Sequence, residues 1–332
     1  MKITIKDIAK MAEVSTATVS KVVNNKDKNI SDATRQKILT LIEEYNYVPN
    51  RVASSMVTKK TNSIGLVIPD IANPFFPEIA RGVEDMANKN GYHVILCNSD
   101  NDLKKEVDYL SMLQEKMVDG IILTASSRRS GDSLTLSKID VPLITVDREV
   151  VGAKIDGKII VDNASGAYEA VTYMFNKGYK RILHLAGPLT SGPSTERYKG
   201  YKSAHRDFGK EILEELFIEG FYTSEWGYEG IKAVLKQGIL FDGVFCGNDL
   251  IALGAMKALR ESQFNIPEDI GIVGFDDIYM TTMIEPRLTT VHQPNYQMGY
   301  KAAQLLIDII EAKTVDKKVE ILKTELIIRE ST

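Results

Sequence analysis

Residues 4–25 read TIKDIAKMAEVSTATVSKVVNN, and they decide what kind of head the chain carries. Asp7 to Met11 reads as a short helix. After a break, Ser15 stands as the N-cap of a second helix, Thr16 to Asn24, because a serine oxygen accepts an otherwise orphaned amide of the first turn. Ser31 caps a third helix in the same way, Asp32 to Tyr45. Ile5, Ile8, Val14, Val19, Val22, Ile38, Leu41 and Ile42 recur at helical spacing and can close one small core. The expectation is a three-helix module of the helix-turn-helix type, whose second helix enters the major groove of DNA.

The start of such a helix needs short or flexible side chains to reach base edges. Thr16, Ala17 and Lys21 occupy that face. Lys21 can donate to guanine O6 or N7 or to a phosphate, and Thr16 and Ala17 can meet thymine methyls. Thr18, Ser20 and Asn24 suit phosphate, and Thr4 and Ser15, at the two helix starts, complete the DNA-facing set. Charge agrees: residues 1–60 hold eleven Lys/Arg against six Asp/Glu, leaving 30 against 39 for the rest of a chain whose net charge is −4. A basic head on an acidic body presents one face to phosphate, although a solvated pair of charged helices would show the same excess.

The segment NYVPNRVASSMVTKKTN (46–62) breaks the helical pattern and is too short and polar to hold an isolated helix, which makes it a conditional hinge. From Ser63, apolar runs alternate with amphipathic helical stretches: SIGLVIP (63–69), HVILCN (93–98), DGIILT (119–124), PLITV (142–146), RILHLAG (181–187), FDGVFC (241–246) and EDIGIVGF (268–275). This alternation predicts βαβ units with parallel sheets, in a length of chain sufficient for two lobes. The run VEILKTELIIRE (319–330) predicts a final strand pair crossing between lobes.

Cys97 and Cys246 lie inside apolar runs and suit reduced, buried thiols, so no disulfide or zinc framework is expected. No apolar stretch reaches the roughly 20 residues that span a bilayer, and the first residues lack a signal-peptide core; a cytoplasmic protein without membrane contact is expected. Enzyme signatures are broken or missing. GPLTSGPS (187–194) has the spacing of a phosphate-binding loop, but Pro193 stands where the lysine is required, so it reads as an ordinary loop. His93, His184, His205 and His292 lack metal-ligand spacing, and His184 reads as a core histidine. No catalytic residue, metal or cofactor is expected.

The chain resembles the LacI/GalR (lactose-repressor-like) family of bacterial regulators. The resemblance is carried by TIKDIAKMAEVSTATVSKVVNN, YVPNRVASSM (47–56), IPDIANPFF (68–76), DGIIL (119–123), VDR (146–148), RYKGY (197–201), FCGNDLIALGAM (245–256), GIVGFDD (271–277) and TTVHQP (289–294), in family order over nearly the whole chain. It implies an α/β fold: an N-terminal helix-turn-helix domain (1–46), a hinge helix or linker (47–61), and a two-lobed, periplasmic-binding-protein-like effector domain of parallel doubly wound sheets (62–332). The N-lobe is expected at about 62–161 and 291–320, the C-lobe at about 162–290 and 321–332.

The resemblance further implies a homodimer whose hinges pair on a pseudo-palindromic operator. Met56 would wedge between base steps, and Asn50, Arg51 and Ala53 would lie along the minor groove; hinge packing for Met56 and helix capping for Asn50 are the simpler readings. Glu13 departs from the glycine usual in the turn. In the body, Asn73, Phe75, Phe76, Asp147, Arg148, Arg197, Trp226, Asn248, Asp276 and Gln293 are implied to converge on an interlobe cleft for a small sugar, sugar acid or sugar phosphate. Polar groups would grip hydroxyls while Phe75, Phe76 or Trp226 stacks on the ring. One of the two phenylalanines could instead be core, and Arg197 could pair on the surface with Glu196 or Glu169. Asp276 and Asp277, adjacent on a strand, should face opposite ways.

The implied function is a sequence-specific transcription regulator, a repressor of carbohydrate-use genes. A second reading within the regulators is a global carbon-catabolite regulator with a phosphorylated carrier protein as corepressor, docking near Arg81, Lys89 and Lys301. A solute-binding protein or sugar-processing enzyme would have no use for the basic head.

Overall fold

Strands buried on both faces explain the apolar runs, since helices on either side of a parallel sheet leave no solvent face to alternate toward. The computed structural model describes residues 3–24, 27–48, 60–126, 136–150 and 153–332, in two units, 1–61 and 62–332.

The first unit holds α1 (Ile5–Ala12), α2 (Thr16–Val23) and α3 (Asp32–Glu44). Helix α1 begins two residues before the sequence expectation because Asp7 reaches back to Thr4, accepting from its backbone N–H at 2.9 Å and its hydroxyl at 2.7 Å. Ser15 and Ser31 accept from the amides of Thr18 and Thr34 at 3.1 and 3.3 Å. Ile8, Val19, Val22 and Ile38 are buried at the centre, with Ile5, Val14, Leu41 and Ile42 packed around them. Tyr47, assigned from the sequence to the hinge, is instead buried in this core, where its ring adds apolar area that three short helices otherwise lack.

In the second unit, one sheet contains β1 (Ser63–Ile68), β2 (His93–Asn98), β3 (Gly120–Leu123), β4 (Leu143–Val146), β5 (Gly157–Val161) and β11 (Val319–Leu322), in the order β11-β5-β4-β3-β1-β2, all parallel. Leu66 is central in its register, opposite Leu96 on one side and Ile122 on the other. Helices α4 (Phe75–Lys89) and α5 (Leu103–Glu115) follow β1 and β2.

The second sheet contains β6 (Ile182–Ala186), β7 (Phe217–Glu219), β8 (Gly243–Cys246), β9 (Gly271–Asp276), β10 (Thr289–His292) and β12 (Glu325–Ile327), ordered β12-β10-β9-β8-β6-β7. Only β12 runs antiparallel there. Its helices are α6 (Asn163–Asn176), α7 (Gly192–Asp207), α8 (Ser224–Lys236) and α9 (Asp249–Glu261). Helix α10 (Asn295–Ile310) returns to the first lobe and crosses α4 backbone to backbone: a Cβ on Gly82 would lie 2.1 Å from the Tyr296 carbonyl oxygen, and one on Gly299 2.0 Å from that of Ile79. Only glycine permits that approach.

The chain passes between lobes after β5, after β10 and between β11 and β12. The last two passages fall about two residues later than the sequence reading placed them, because His292 still pairs with Asp276 in the second sheet and Leu322 with Val161 in the first. Both cysteines are buried on strands, and His184 is fully buried on β6. Among the described residues, no helix is long and apolar enough to cross a membrane.

Candidate functional site

In the head, Thr16, Ala17 and Lys21 are exposed on α2. Their neighbours are partly engaged within the chain: the Ser15 and Thr18 hydroxyls lie 2.9 Å apart, and Asn24 donates its side-chain amide to the Ser20 carbonyl at 2.7 Å. Thr4 is held by Asp7 as described. These bonds fix the two helix ends and leave Thr16, Ala17 and Lys21 as the outward group. Glu13 takes φ 61° and ψ 38°, the left-handed conformation that favours glycine; it lets the amide of Val14 turn back onto the Ala9 carbonyl at 2.9 Å. Asn50, Arg51, Ala53 and Met56 lie outside the described residues.

In the body, the C-terminal ends of the parallel strands deliver side chains to one cleft, as open α/β sheets do. Its lining is Asn73, Phe75, Phe76, Asp147 and Arg148 from the first lobe, Ser191, Pro193, Arg197, Tyr222, Asn248 and Asp276 from the second, and Gln293 at a crossing, around a space of about 280 Å³ that includes its mouth. Phe75 and Phe76 meet edge to face with centroids 5.1 Å apart, and both are at once core and cleft wall.

Arg197 is not on the surface. Its Nε donates to Asn163 Oδ1 at 2.8 Å and Nη1 to the Gly247 carbonyl at 2.5 Å; Nη2 is 3.7 Å from Asp276 Oδ1, and the guanidinium carbon lies 3.7 Å from the Phe275 ring centroid. Arg148 Nη1 donates to Asn101 Oδ1 and the Ala125 carbonyl, both at 3.0 Å, with Nε 3.7 Å from Asp147 Oδ2. Glu149 pairs with Lys158.

Burial pushes both cleft carboxyls upward, Asp147 against the opposing pull of Arg148 and Arg197, and Asp276 up to about 7 against Arg197 and the Gln293 amide. Gln293 Nε2 donates to Asp276 Oδ1 at 2.7 Å, and Asn248 Oδ1 accepts the Ile251 amide at 2.9 Å as the N-cap of α9. Asp277 turns away, 2.6 Å from Arg329 and 3.1 Å from His292 Nδ1, so the neighbouring carboxylates serve different surroundings; the cause is a turn and not the strand alternation expected, since β9 ends at Asp276 and the two residues take φ 114° and 60°.

Trp226 does not line the cleft, contrary to the sequence expectation. Its ring packs into the second-lobe core beneath Gly220, where an added Cβ would lie 2.0 Å from the indole. The side chain sits in the first turn of α8, and its apolar bulk is taken up by that core. Tyr222 reaches the cleft instead, and GPLTSGPS is more than an ordinary loop: its end supplies Ser191 and Pro193. Asn163 and Asn101, which orient the arginines, were also missed. No motif marks them, and only the fold makes them neighbours.

Among the described residues, four buried polar atoms of this lining have no hydrogen-bond partner: Arg148 Nε, Ser191 Oγ, Tyr222 Oη and Gln293 Oε1. Buried polar groups are ordinarily satisfied, so their convergence leaves a set of donors and acceptors for a polar guest. Among the described residues, no group of three or more His, Cys, Asp and Glu could hold a metal ion.

The model of the LacI family of bacterial regulatory proteins matches residues 4–50, and that of periplasmic binding proteins and the sugar-binding domain of the LacI family matches residues 61–330. The chain is 39% identical to the HTH-type transcriptional regulator RegA of Clostridium saccharobutylicum over the whole of both proteins. It is 40% identical to the ribose operon repressor of Halalkalibacterium halodurans, covering 99% of this chain and 97% of that one. Among solved structures, the lac repressor dimer bound to operator and the anti-inducer ONPF superposes with a TM-score of 0.88 at 26% identity, covering 100% of this chain and 99% of that one. With a helix-turn-helix head and a sugar-binding-type body in one chain, this protein belongs to the LacI family of transcription regulators.

Proposed function

We propose that the chain acts in the cytoplasm as a homodimeric repressor of carbohydrate-use genes, working by binding and not by catalysis. Thr16, Ala17 and Lys21 read a pseudo-palindromic operator, the hinge residues Asn50, Arg51, Ala53 and Met56 engage its centre, and a small polyhydroxy effector in the interlobe cleft switches operator affinity. The observation that carries this reading is the convergence of unpaired buried polar atoms at the strand ends of both lobes. A guest that bridges Arg148 on one side to Ser191 and Tyr222 on the other makes its contacts only at one interlobe angle, so it stabilises that angle. The ribose operon repressor among the relatives supports the assignment to carbohydrate genes.

Effector and operator must then couple reciprocally. The test is operator binding by the full chain at fixed salt, on DNA selected from a random pool, with the effector titrated. A change in operator affinity of about 5- to 150-fold in either direction is expected, and its sign distinguishes induction from corepression. Unchanged affinity at saturating effector rejects the mechanism.

The phosphorylated carrier protein gains no support from the three cations expected to receive it. Arg81 lies 3.1 Å from Asp85, Lys89 donates to Tyr300 Oη at 3.3 Å, and Lys301 is 2.6 Å from Glu320.

A further inference from the structure

The two carboxyls of the cleft stand on backbone that L-residues seldom adopt. Asp147, just past the end of β4, takes φ 65°, and the Arg148 amide donates back to the Val146 carbonyl at 2.7 Å, closing a γ-turn of the rare positive-φ kind. Asp276, the last residue of β9, takes φ 114°, and Asp277 follows at 60°. Two consecutive non-glycine residues in this region persist only where their surroundings over-determine them, and such strain collects at ligand clamps. Whatever holds the turn at Asp276 and Asp277 also aims the Asp276 carboxyl.

The cleft supplies one tether, the Gln293 amide on Asp276 Oδ1 at 2.7 Å. The others come from behind it. Asp249, the first residue of α9, is fully buried and lies outside the cleft lining. Its Oδ2 accepts the Ile278 amide at 2.9 Å, fixing the far side of the turn, and its Oδ1 accepts the Thr290 hydroxyl of β10 at 2.6 Å. Gly274 leaves room for it, since a Cβ there would lie 2.1 Å from Asp249 Oδ1. A buried carboxyl is costly unless hydrogen-bonded, and both oxygens of this one are spent on the turn and its neighbouring strand.

Arg329, just past β12, holds the other residue. Its Nη2 donates to Asp277 Oδ1 at 2.6 Å, and its Nη1 to the Thr281 hydroxyl and the Leu288 carbonyl at 2.9 and 2.8 Å. His292 Nδ1 lies 3.1 Å from the second Asp277 oxygen. The two side chains of the Arg329–Asp277 pair are only 13% and 16% exposed, so water does little to loosen the anchor.

We infer that Asp249 and Arg329 are positioning residues of the cleft: without touching a guest, they hold Asp276 and Asp277 in their positive-φ course and so aim the Asp276 carboxyl at Arg197 and Gln293. Their importance to effector binding rests on the cleft being the effector site; their hold on the turn does not.

The test reads where the Asp276 carboxyl lies and needs no effector. The reporter is hydrogen exchange of the Gln293 side-chain amide, assigned in NMR spectra of the full chain with Gln293→Met, and compared with the backbone amide of Val244 on the interior strand β8 of the same sheet. Arg329→Met and Asp249→Ala should each speed exchange at Gln293 relative to Val244 about tenfold, and Asp249→Asn, which keeps an acceptor for the Ile278 amide, should stay within about twofold of the parent. A residue that only stabilises the fold would leave Gln293 unchanged or speed both amides alike, and either result overturns the inference.

A pair of variants at position 277 tests the strain itself. Asp277→Ala and Asp277→Gly both lose the contact with Arg329, but only glycine adopts φ 60° freely. The Gln293 amide should therefore exchange about five- to thirtyfold more slowly in the glycine variant than in the alanine variant. Equal exchange in the two shows that the turn needs no holding and overturns the inference. None of these outcomes bears on whether the cleft takes an effector, which the titration of operator binding decides.

Discussion

Replacing Arg197 by methionine keeps an apolar stem of similar length and removes the guanidinium. Lost with it are the bonds to Asn163 and Gly247, the charge facing Asp276, and the contact with the Phe275 ring. Because the group is 3% exposed, water cannot replace these partners. Removing one member of a buried ionic cluster costs about 3–5 kcal/mol, against ~0–1 for an exposed pair.

Asp276 sets where in that range the loss falls. Its carboxyl is pushed up to about 7 by burial, with Arg197 the largest influence pulling it down. A carboxyl raised in the folded state above its ordinary 3.8 contributes stability that is fully present below that value and lost as pH rises through the folded value. Without Arg197 the folded value rises further, so Asp276 is protonated at pH 6 and becomes an uncompensated anion only at higher pH. The destabilisation should therefore be near the lower figure at pH 6 and near the upper at pH 8.

At roughly 2–4 °C per kcal/mol for a domain of this size, Tm should fall by about 6–20 °C, with the larger drop at pH 8. The assay is scanning calorimetry of the full chain at both pH values, with Trp226→Phe as a control that retains effector affinity because its ring lies outside the cleft. A fall of less than about 2 °C at pH 8, or a larger fall at pH 6 than at pH 8, would refute the reasoning.

Two further outcomes are expected. Glu13→Gly relieves a left-handed residue, worth about 1–2 kcal/mol, against the roughly 0.5–1 kcal/mol of chain freedom that glycine adds to the unfolded state; the net gain of ~0.5–1 kcal/mol should slow exchange of the Val14 amide about two- to fivefold, and faster exchange would reject it. His184 is held down to about 4 by burial, below its ordinary 6.5, so it contributes stability present above 6.5 and lost as pH falls through about 4. That window is worth about 3 kcal/mol, and His184→Phe should melt with a flatter acid limb than the parent; parallel limbs would show that another group governs acid unfolding.

Much of the architecture was legible because it is written locally. Ser15 and Ser31 announce helix starts by the atoms they carry, and runs such as GIIL and GIVGF are apolar on every residue because both sheet faces are covered. The head's core, Ile8, Val19, Val22 and Ile38, follows from helical spacing alone. Tyr47 was misassigned because a residue just beyond the last helix carries no periodic signal.

The cleft was legible chiefly through family resemblance, and its failures are instructive. Trp226 combines the size and polarity of a sugar-stacking residue, yet those properties also suit a core position, and only the packing beneath Gly220 distinguishes the two. Tyr222, four residues earlier and without a motif, reaches the cleft because β7 ends nearby.

The sequence by itself determined the order of helices and strands, the basic head, and the placement of polar residues at strand ends, since each depends on neighbours within a few positions. Tertiary structure alone decided which of those residues meet. Arg197 contacts Asn163, Gly247 and Asp276, between 34 and 79 positions away in the chain, and the fold alone sets each guanidinium beside a carboxyl. Electrostatic balance and hydrogen-bond satisfaction are properties of a three-dimensional neighbourhood, and no local pattern encodes them.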